Sequence, residues 1–200
     1  MNTLSKAIIA AFVLGGTIST ANAAGVITNI TATDLSGGTF DSGVIGADRT
    51  LDIDKTFTSI NPISLTFTVA HAAGTGNPYS VVEDVLNNTG QTWTDFHYSI
   101  IEPDRGQGVV FTQFNAGSTF ADFTLDGSSG PRNLNFTGTL LDGQTANASF
   151  NLSPFDPGAG NTTTFTLTQV PTIPEPETYA MLLAGLLLMG GIAKRKSNKQ

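Results

Sequence analysis

The sequence predicts an all-β protein, an antiparallel β-sandwich of jelly-roll or Ig-like type with an N-terminal signal peptide and one C-terminal hydrophobic helix. Three observations support this prediction. The chain of 200 residues contains 22 glycines and only 12% charged residues, a composition that suits strands and tight turns better than surface helices. Short segments in the middle alternate apolar and polar residues. Uncharged apolar runs stand at both ends.

The middle of the chain alternates with the period of half-buried strands. Residues 63–69, Ile-Ser-Leu-Thr-Phe-Thr-Val, show the pattern most clearly, and residues 146–153 and 163–168 repeat it. Clusters of Gly, Asn, Asp and Pro separate about ten such segments. The other predicted strands are 26–32, 50–57, 79–86, 93–101, 109–114, 120–125 and 133–140. This spacing is typical of a sandwich or jelly roll, so residues 24–170 are assigned to one passenger domain.

The charge and the cysteine content exclude several classes of function. Residues 24–174 hold four basic and fourteen acidic residues, and a surface of that sign repels phosphate backbones, so no nucleic-acid partner is expected. The chain has no cysteine. Disulfides, thiolate metal sites and a cysteine nucleophile are therefore excluded, and the fold must be held by core packing.

The N-terminus has the three parts of a signal peptide, assigned to residues 1–23. A short polar segment with Lys6 precedes the apolar run 7–16, which is too short for an ordinary membrane span. Ala21 and Ala23 then give the small-x-small pattern that signal peptidase cuts, which makes Ala24 the first residue of the mature chain. The alternatives are a retained anchor and a buried helix.

The C-terminus begins with a proline-rich linker, residues 171–178, that contains Pro174, Glu175 and Pro176. The two prolines fix their own φ angles and push the residues before them out of the helical region. The motif is therefore expected to stand extended, and to hold the domain away from the membrane.

An apolar segment and a basic tail follow the linker. Residues 179–193 are uncharged and predict a transmembrane helix about 22 Å long, short against a hydrocarbon core of about 30 Å. The basic residues of the tail, 194–200, are expected to stay cytoplasmic, which places the passenger domain outside. A marginal span of this kind suits a membrane anchor that is meant to be removed.

The motif, the apolar segment and the basic end together resemble the PEP-CTERM sorting signal. The resemblance implies a Gram-negative host that produces exopolysaccharide or biofilm. It also implies processing near the motif by an exosortase, a membrane cysteine transpeptidase, which recognises Pro174, Glu175 and Pro176. The expected partners are signal peptidase, exosortase and, before processing, the membrane. The resemblance covers the tail and implies no activity for the passenger domain.

One strand carries a candidate ligand-binding site, Trp93, Asp95 and His97. Alternation places these residues on the side opposite Phe96 and Tyr98, with next-but-one neighbours about 6.5–7 Å apart. An exposed indole beside a carboxylate and an imidazole could stack on a sugar ring and bind its hydroxyls. The alternative is that Trp93 belongs to the core and that the two polar residues serve loops.

Calcium is the one cofactor to consider, since Asp52 with Asp54, or Asp122 with Asp126, could join loop carbonyls around the ion. The spacing D-x-D-x-D-G of an EF-hand is absent from the sequence, and scattered aspartates usually solvate turns. No metal site is therefore assigned.

Motifs of common enzymes are absent from the sequence, including G-x-S-x-G, H-E-x-x-H and the P-loop. The sequence thus predicts an exported, exosortase-sorted protein of the cell surface or extracellular matrix, with a non-enzymatic structural or adhesive role beside exopolysaccharide or biofilm. The alternatives are a carbohydrate- or calcium-binding module and a secreted polysaccharide-active hydrolase, which would need only two well-placed carboxylates.

Overall fold

The computed structural model describes residues 24–73, 76–102, 108–173 and 183–187. Within these residues the chain forms twelve strands. They are β1 (Val26–Asp34), β2 (Gly38–Ile45), β3 (Thr50–Phe57), β4 (Ile63–Ala70), β5 (Tyr79–Asn87), β6 (Trp93–Ile101), β7 (Val110–Phe111), β8 (Thr119–Phe120), β9 (Thr124–Leu125), β10 (Asn133–Leu140), β11 (Thr145–Ser153) and β12 (Thr162–Thr172). The all-β sandwich prediction is confirmed.

The strands form two sheets. Sheet one has the order β1-β4-β12-β6-β10-β9, and sheet two has the order β2-β3-β5-β11-β7 with β8 also paired to β11. The prediction of antiparallel pairing needs one correction, because β3 and β5 run parallel from Thr50 opposite Ser80 to Phe57 opposite Asn87. The chain crosses to sheet one as β4 between them, so it re-enters sheet two in the original direction.

Most predicted strands match the observed ones, and three begin and end at the predicted residues: β3, β6 and β10. Strand β2 was not predicted. It is an edge strand with little burial, so its sequence lacks the alternation that a buried face imposes. The predicted strand 120–125 is in fact two strands in different sheets, because Ala121 adopts a positive φ of 42° and turns the chain.

The core between the sheets is rich in aromatic rings. Phe96 stacks on Phe120 with centroids 4.5 Å apart, and Tyr98 meets Phe150 edge-on at 5.0 Å. Such offset and edge-to-face pairs add about 0.5–1.5 kcal/mol each to the effect of burial. Aromatic packing of this kind supplies the rigidity that disulfides cannot give to a chain without cysteine.

The first described residue is fixed into the domain. Ala24 is buried, its N–H donates to Gly76 O at 3.3 Å, and it forms a β-bridge with Phe155. The Arg49 guanidinium donates to the carbonyls of Ala24 and Gly25 at 3.1 and 3.0 Å. The predicted mature N-terminus is therefore part of the folded domain and not a free tail.

The last strand extends beyond the predicted domain boundary. The linker was predicted to start at residue 171, but Pro171 and Thr172 still pair with Phe96 and Asp95 of β6. Pairing of β12 with β4 has already ended at Gln169. The missing N–H of Pro171 therefore interrupts no ladder on that side.

Residues 183–187 form an exposed helical turn within the predicted transmembrane segment 179–193. Among the described residues, no helix has the length and apolar character to cross a membrane. The signal peptide, the motif Pro174, Glu175 and Pro176, the basic tail and the remainder of the apolar segment lie outside the described residues.

Candidate functional site

Trp93 lies in the core, which corrects the prediction of an exposed stacking ring. Its relative exposure is 0%, and it packs edge-on against Phe57 at 5.4 Å and on Phe96 at 5.6 Å. Strict alternation fails at this point because the register between β6 and β10 shifts between the pairs Asp95–Thr137 and Trp93–Leu140. The ring therefore offers no face to a sugar.

The indole N–H of Trp93 also has a structural partner. It donates to Thr89 Oγ1 at 3.2 Å, in the turn between β5 and β6. The buried Asn87 carboxamide organises the same turn by donating to Gln91 O at 2.9 Å and accepting from Thr89 Oγ1 at 2.7 Å. Trp93 thus stabilises the β5–β6 connection from within the core.

The two other predicted ligand-binding residues, Asp95 and His97, lie half-buried on the outer face of sheet one. The side chains of His97 and Asn135 meet at 2.9 Å between Nδ1 and Oδ1. Since the amide oxygen only accepts, the assigned arrangement makes His97 Nδ1–H the donor. Asn135 in turn donates to Ser128 Oγ at 2.9 Å.

The loop that follows β9 extends this polar group. Asp126 Oδ1 accepts from the backbone N–H of Ser128 at 2.7 Å. The pKa of Asp126 lies below its ordinary value chiefly because of the hydrogen bonds from Ser128, with a smaller contribution from His97. His97, Asn135, Ser128 and Asp126 therefore form one connected polar group at the end of sheet one.

The outer face of sheet one carries a regular array of hydroxyl and amide groups, which we call the hydroxyl face. It is built by alternation, because Leu65, Phe67, Phe165 and Leu167 point inward from β4 and β12 and their neighbours point outward. The pairing of β4, β12, β6 and β10 places these neighbours side by side. The members are Ser64, Thr66, Thr68, Asp95, His97, Ser99, Asn133, Asn135, Thr137, Thr164, Thr166 and Thr168, with Ile101 and Val170 among them.

Hydrogen bonds between side chains order the hydroxyl face. Thr66 and Thr166 join their hydroxyls at 3.0 Å, and Ser64 and Thr168 do so at 2.9 Å. Thr66 Oγ1 also donates to Thr33 Oγ1 of β1 at 3.2 Å. Neighbouring strands lie about 4.8 Å apart, so the hydroxyls form a lattice of fixed spacing. Each hydroxyl has one proton and two lone pairs, so an exposed member such as Thr164 can also bind an external partner.

Two pairs of carboxylates were proposed as calcium ligands. Asp52 and Asp54 stand on the outer face of sheet two, where Asp54 Oδ2 accepts from Ser42 Oγ at 2.6 Å. Asp122 lines a groove of about 250 Å³ beside Thr139 and Gln144, and Asp126 is not among its lining residues. Within the described ranges, no group of three or more His, Cys, Asp and Glu side chains is arranged to hold a metal ion.

A polar cluster in the core was missed by the sequence analysis. Lys55, Glu83 and Gln169 are at most 1% exposed. Lys55 Nζ lies 2.9 Å from Glu83 Oε2, and Gln169 Nε2 donates to Glu83 Oε1 at 3.1 Å. The signal was present, since Lys55 and Glu83 occupy inward positions in the alternation of β3 and β5. Opposite charges at two inward positions indicate a buried pair.

Burial perturbs the proton equilibria of this cluster. It lowers the pKa of Lys55, although the Glu83 carboxylate opposes the shift. It raises the pKa of Tyr98 well above 10.0, and the charge of Glu83 adds to that rise. Tyr98 Oη and Gln169 Oε1 find no hydrogen-bond partner within the described part of the chain. They belong to residues that face each other directly across β6 and β12.

The C-terminal tail is the part of the chain that matches a known family. Residues 172–196 match the PEP-CTERM protein-sorting motif. No curated protein and no solved structure matches the chain. The match begins at Thr172, which is the last residue of β12. The motif implies processing by an exosortase, export and sorting to the cell surface. The chain thus carries a PEP-CTERM sorting motif at residues 172–196 and is consistent with an exosortase substrate.

Proposed function

We propose that this protein is a non-enzymatic structural or adhesive component of the cell surface or extracellular matrix, and that the hydroxyl face contacts exopolysaccharide. The observation that carries the proposal is the ordered, nearly uncharged array of side-chain hydroxyls and amides on sheet one. The sorting motif supports the location, since it implies export and sorting to the cell surface.

The chemistry of the hydroxyl face suits a polyhydroxylated polymer. Sugar hydroxyls donate and accept, as do the side chains of Thr66, Thr166 and Asn135. Asp95 is the one carboxylate among the residues that define the face, and Asp126 lies at its end, so a neutral polysaccharide fits the face better than an anionic one. Contacts spread over many weak hydrogen bonds give adhesion to a repetitive polymer, because each bond contributes about 0.5–1.5 kcal/mol.

We infer further that the sandwich is of the jelly-roll type. If the count starts at β4 and omits β9, eight strands remain. Sheet one then contains, side by side, the first (β4), eighth (β12), third (β6) and sixth (β10) of these strands. Sheet two contains the second (β5), seventh (β11) and fourth (β7) as neighbours, and the fifth (β8) also pairs with the seventh. This alternation between sheets is that of a jelly roll, an architecture shared by lectin domains. Fold alone assigns no function, so the proposal still depends on the hydroxyl face.

Two alternatives remain as outcomes of experiment. A calcium-binding module would use Asp52 with Asp54, or Asp122 with Asp126. A secreted hydrolase would need two carboxylates across a substrate. If the purified protein steadily degraded a polysaccharide, and a carboxylate substitution abolished this activity, the protein would be a hydrolase and the proposal would be wrong.

A binding experiment tests the hydroxyl face. The mature protein is sedimented with polysaccharide extracted from the matrix of the producing cells. The variant Thr66→Val with Thr166→Val removes two hydroxyls while keeping their volume, and it should weaken binding about tenfold or more. The control Thr50→Val with Thr145→Val changes exposed threonines of sheet two. Equal binding by both double variants and wild type would reject the hydroxyl face as the contact surface.

A second experiment tests the sorting. Replacing Pro174, Glu175 and Pro176 with alanine should leave export intact and trap an uncut, membrane-bound form, which fractionation and intact mass would reveal. Pro78→Ala, an exposed proline of the domain, serves as the control. If the triple variant is still trimmed and released, exosortase does not recognise these residues.

A further inference from the structure

The buried polar cluster consists of an amine and a carboxamide that both contact one carboxylate. A single carboxylate, Glu83, reaches both nitrogens: its Oε2 lies 2.9 Å from Lys55 Nζ and its Oε1 accepts from Gln169 Nε2 at 3.1 Å. The contact with Lys55 is close, but it lacks the orientation of a directed hydrogen bond. Lys55 and Glu83 come from sheet two, and Gln169 comes from sheet one. The three groups thus meet between the sheets, away from solvent.

We propose that Lys55 and Gln169 are joined by an intramolecular isopeptide bond, formed after folding with Glu83 as the group that moves the protons. The structure places the amine and the carboxamide against the two oxygens of the same buried carboxylate. No other enzyme or co-reactant is needed, because every atom of the reaction is present in the cluster.

The reaction is a transamidation that balances within the cluster. Lys55 first gives a proton to Glu83 and becomes a neutral amine. Its Nζ then forms a bond to Cδ of Gln169, while the bond between Cδ and Nε2 breaks. The proton lost by Nζ goes to the departing nitrogen through the Glu83 carboxyl group. The products are a secondary amide, ammonia and a neutral Glu83.

The physical reason is the cost of burying charge. An ion pair without water is expensive unless further hydrogen bonds satisfy it, and this pair retains unsatisfied atoms. Burial lowers the pKa of Lys55 and so favours the nucleophilic amine. The reaction removes both charges. During attack the carbonyl oxygen of Gln169 gains negative charge, and the hydroxyl of Tyr98, on the facing strand position and beside Glu83, can donate to it.

The bond would strengthen the domain at the strand that precedes the sorting motif. It would tie β12 in sheet one to β3 in sheet two by a covalent bond. The sorting motif begins at the end of β12, so any pull through the attached end reaches this strand first. A chain without cysteine has no disulfide to serve this purpose.

Mass spectrometry of the mature protein purified from producing cells tests the proposal. The intact chain should weigh less than its processed sequence by one ammonia. After full denaturation, trypsin should cut at Arg49, Arg105 and Arg132 but not after Lys55, because acylation removes the charge that trypsin recognises. The digest should contain a branched peptide that joins residues 50–105 to the fragment starting at residue 133.

Variants separate the roles. Glu83→Gln should restore the unreduced mass and the cut after Lys55, because it can no longer move protons. Lys55→Arg keeps the charge and the trypsin site but supplies no amine, so it should also lack the branch. The wild-type result decides even if these variants fold poorly. An unreduced wild-type mass with normal cleavage after Lys55 would overturn the proposal, and so would loss of one water, which would mean a bond to Glu83 instead.

Discussion

Replacing Trp93 with alanine should destabilise the domain and should not act through ligand binding. The ring is fully buried, packs against Phe57 and Phe96, and donates one hydrogen bond to Thr89. An aromatic side chain buries about 150–250 Å², which at about 25 cal/mol per Å² corresponds to roughly 4–6 kcal/mol. In the variant, the alanine side chain still buries a small part of this area, but the space left by the indole ring becomes a cavity.

The expected loss is therefore about 3–5 kcal/mol, the range for Trp→Ala changes in cores. Domains of this size have a total free energy of unfolding of about 5–15 kcal/mol, so the variant should lose a large part of its stability. The midpoint of thermal unfolding should fall by roughly 6–20 °C.

Urea titration followed by far-UV circular dichroism measures this loss, since the variant no longer contains a tryptophan. Ile101→Ala, on the same strand but 56% exposed, is the control and should change the free energy of unfolding by less than about 0.5 kcal/mol. In the wild type the single tryptophan should resist a soluble quencher until the domain unfolds. A Trp93→Ala variant with an unchanged urea midpoint and lost polysaccharide binding would refute the burial of this ring.

Two further predictions concern the connections at the edge of the sandwich. Gly25→Ala should lower the free energy of unfolding by about 1–3 kcal/mol, because the added Cβ would meet Val69 Cγ1 and lie 2.7 Å from Phe155 O. The control Gly127→Ala, which has open space around its Cβ, should lower it far less in the same thermal or urea unfolding experiment. Equal losses in the two variants would contradict the fixed N-terminus. The pKa of Asp156 lies below its ordinary 3.8, mainly because Gly158 N–H and the His71 side chain donate to the carboxylate. A lowered pKa stabilises the fold above the unfolded-state pKa, and this contribution disappears as pH falls through the folded-state pKa. Asp156→Asn should thus lower stability at neutral pH, and the difference from wild type should shrink below about pH 4; a difference independent of pH would show that the carboxylate charge contributes nothing.

Strand positions and the sorting tail could be predicted from the sequence because both depend on local order. The alternation in residues 63–69 follows from the two-residue period of a strand with one buried face, and β3, β6 and β10 keep the predicted bounds. The sorting motif at residues 172–196 is a linear pattern, so its recognition needs no fold. The edge strand β2 has no fully buried residue, so its sequence lacks the alternation of a half-buried strand and it was not predicted.

The tertiary structure alone decided how these strands combine. Alternation tells which residues of one strand share a side, but it does not tell which side is inside or which strand lies next to it. The side that Trp93 faces depended on a register shift against β10, and the parallel pair β3–β5 depended on the crossing of β4 to the other sheet. Lys55, Glu83 and Gln169 are distant in the sequence and meet only because packing of the two sheets brings their inward positions together. Such long-range contacts are set by the packing of the whole core and cannot be derived from any one segment.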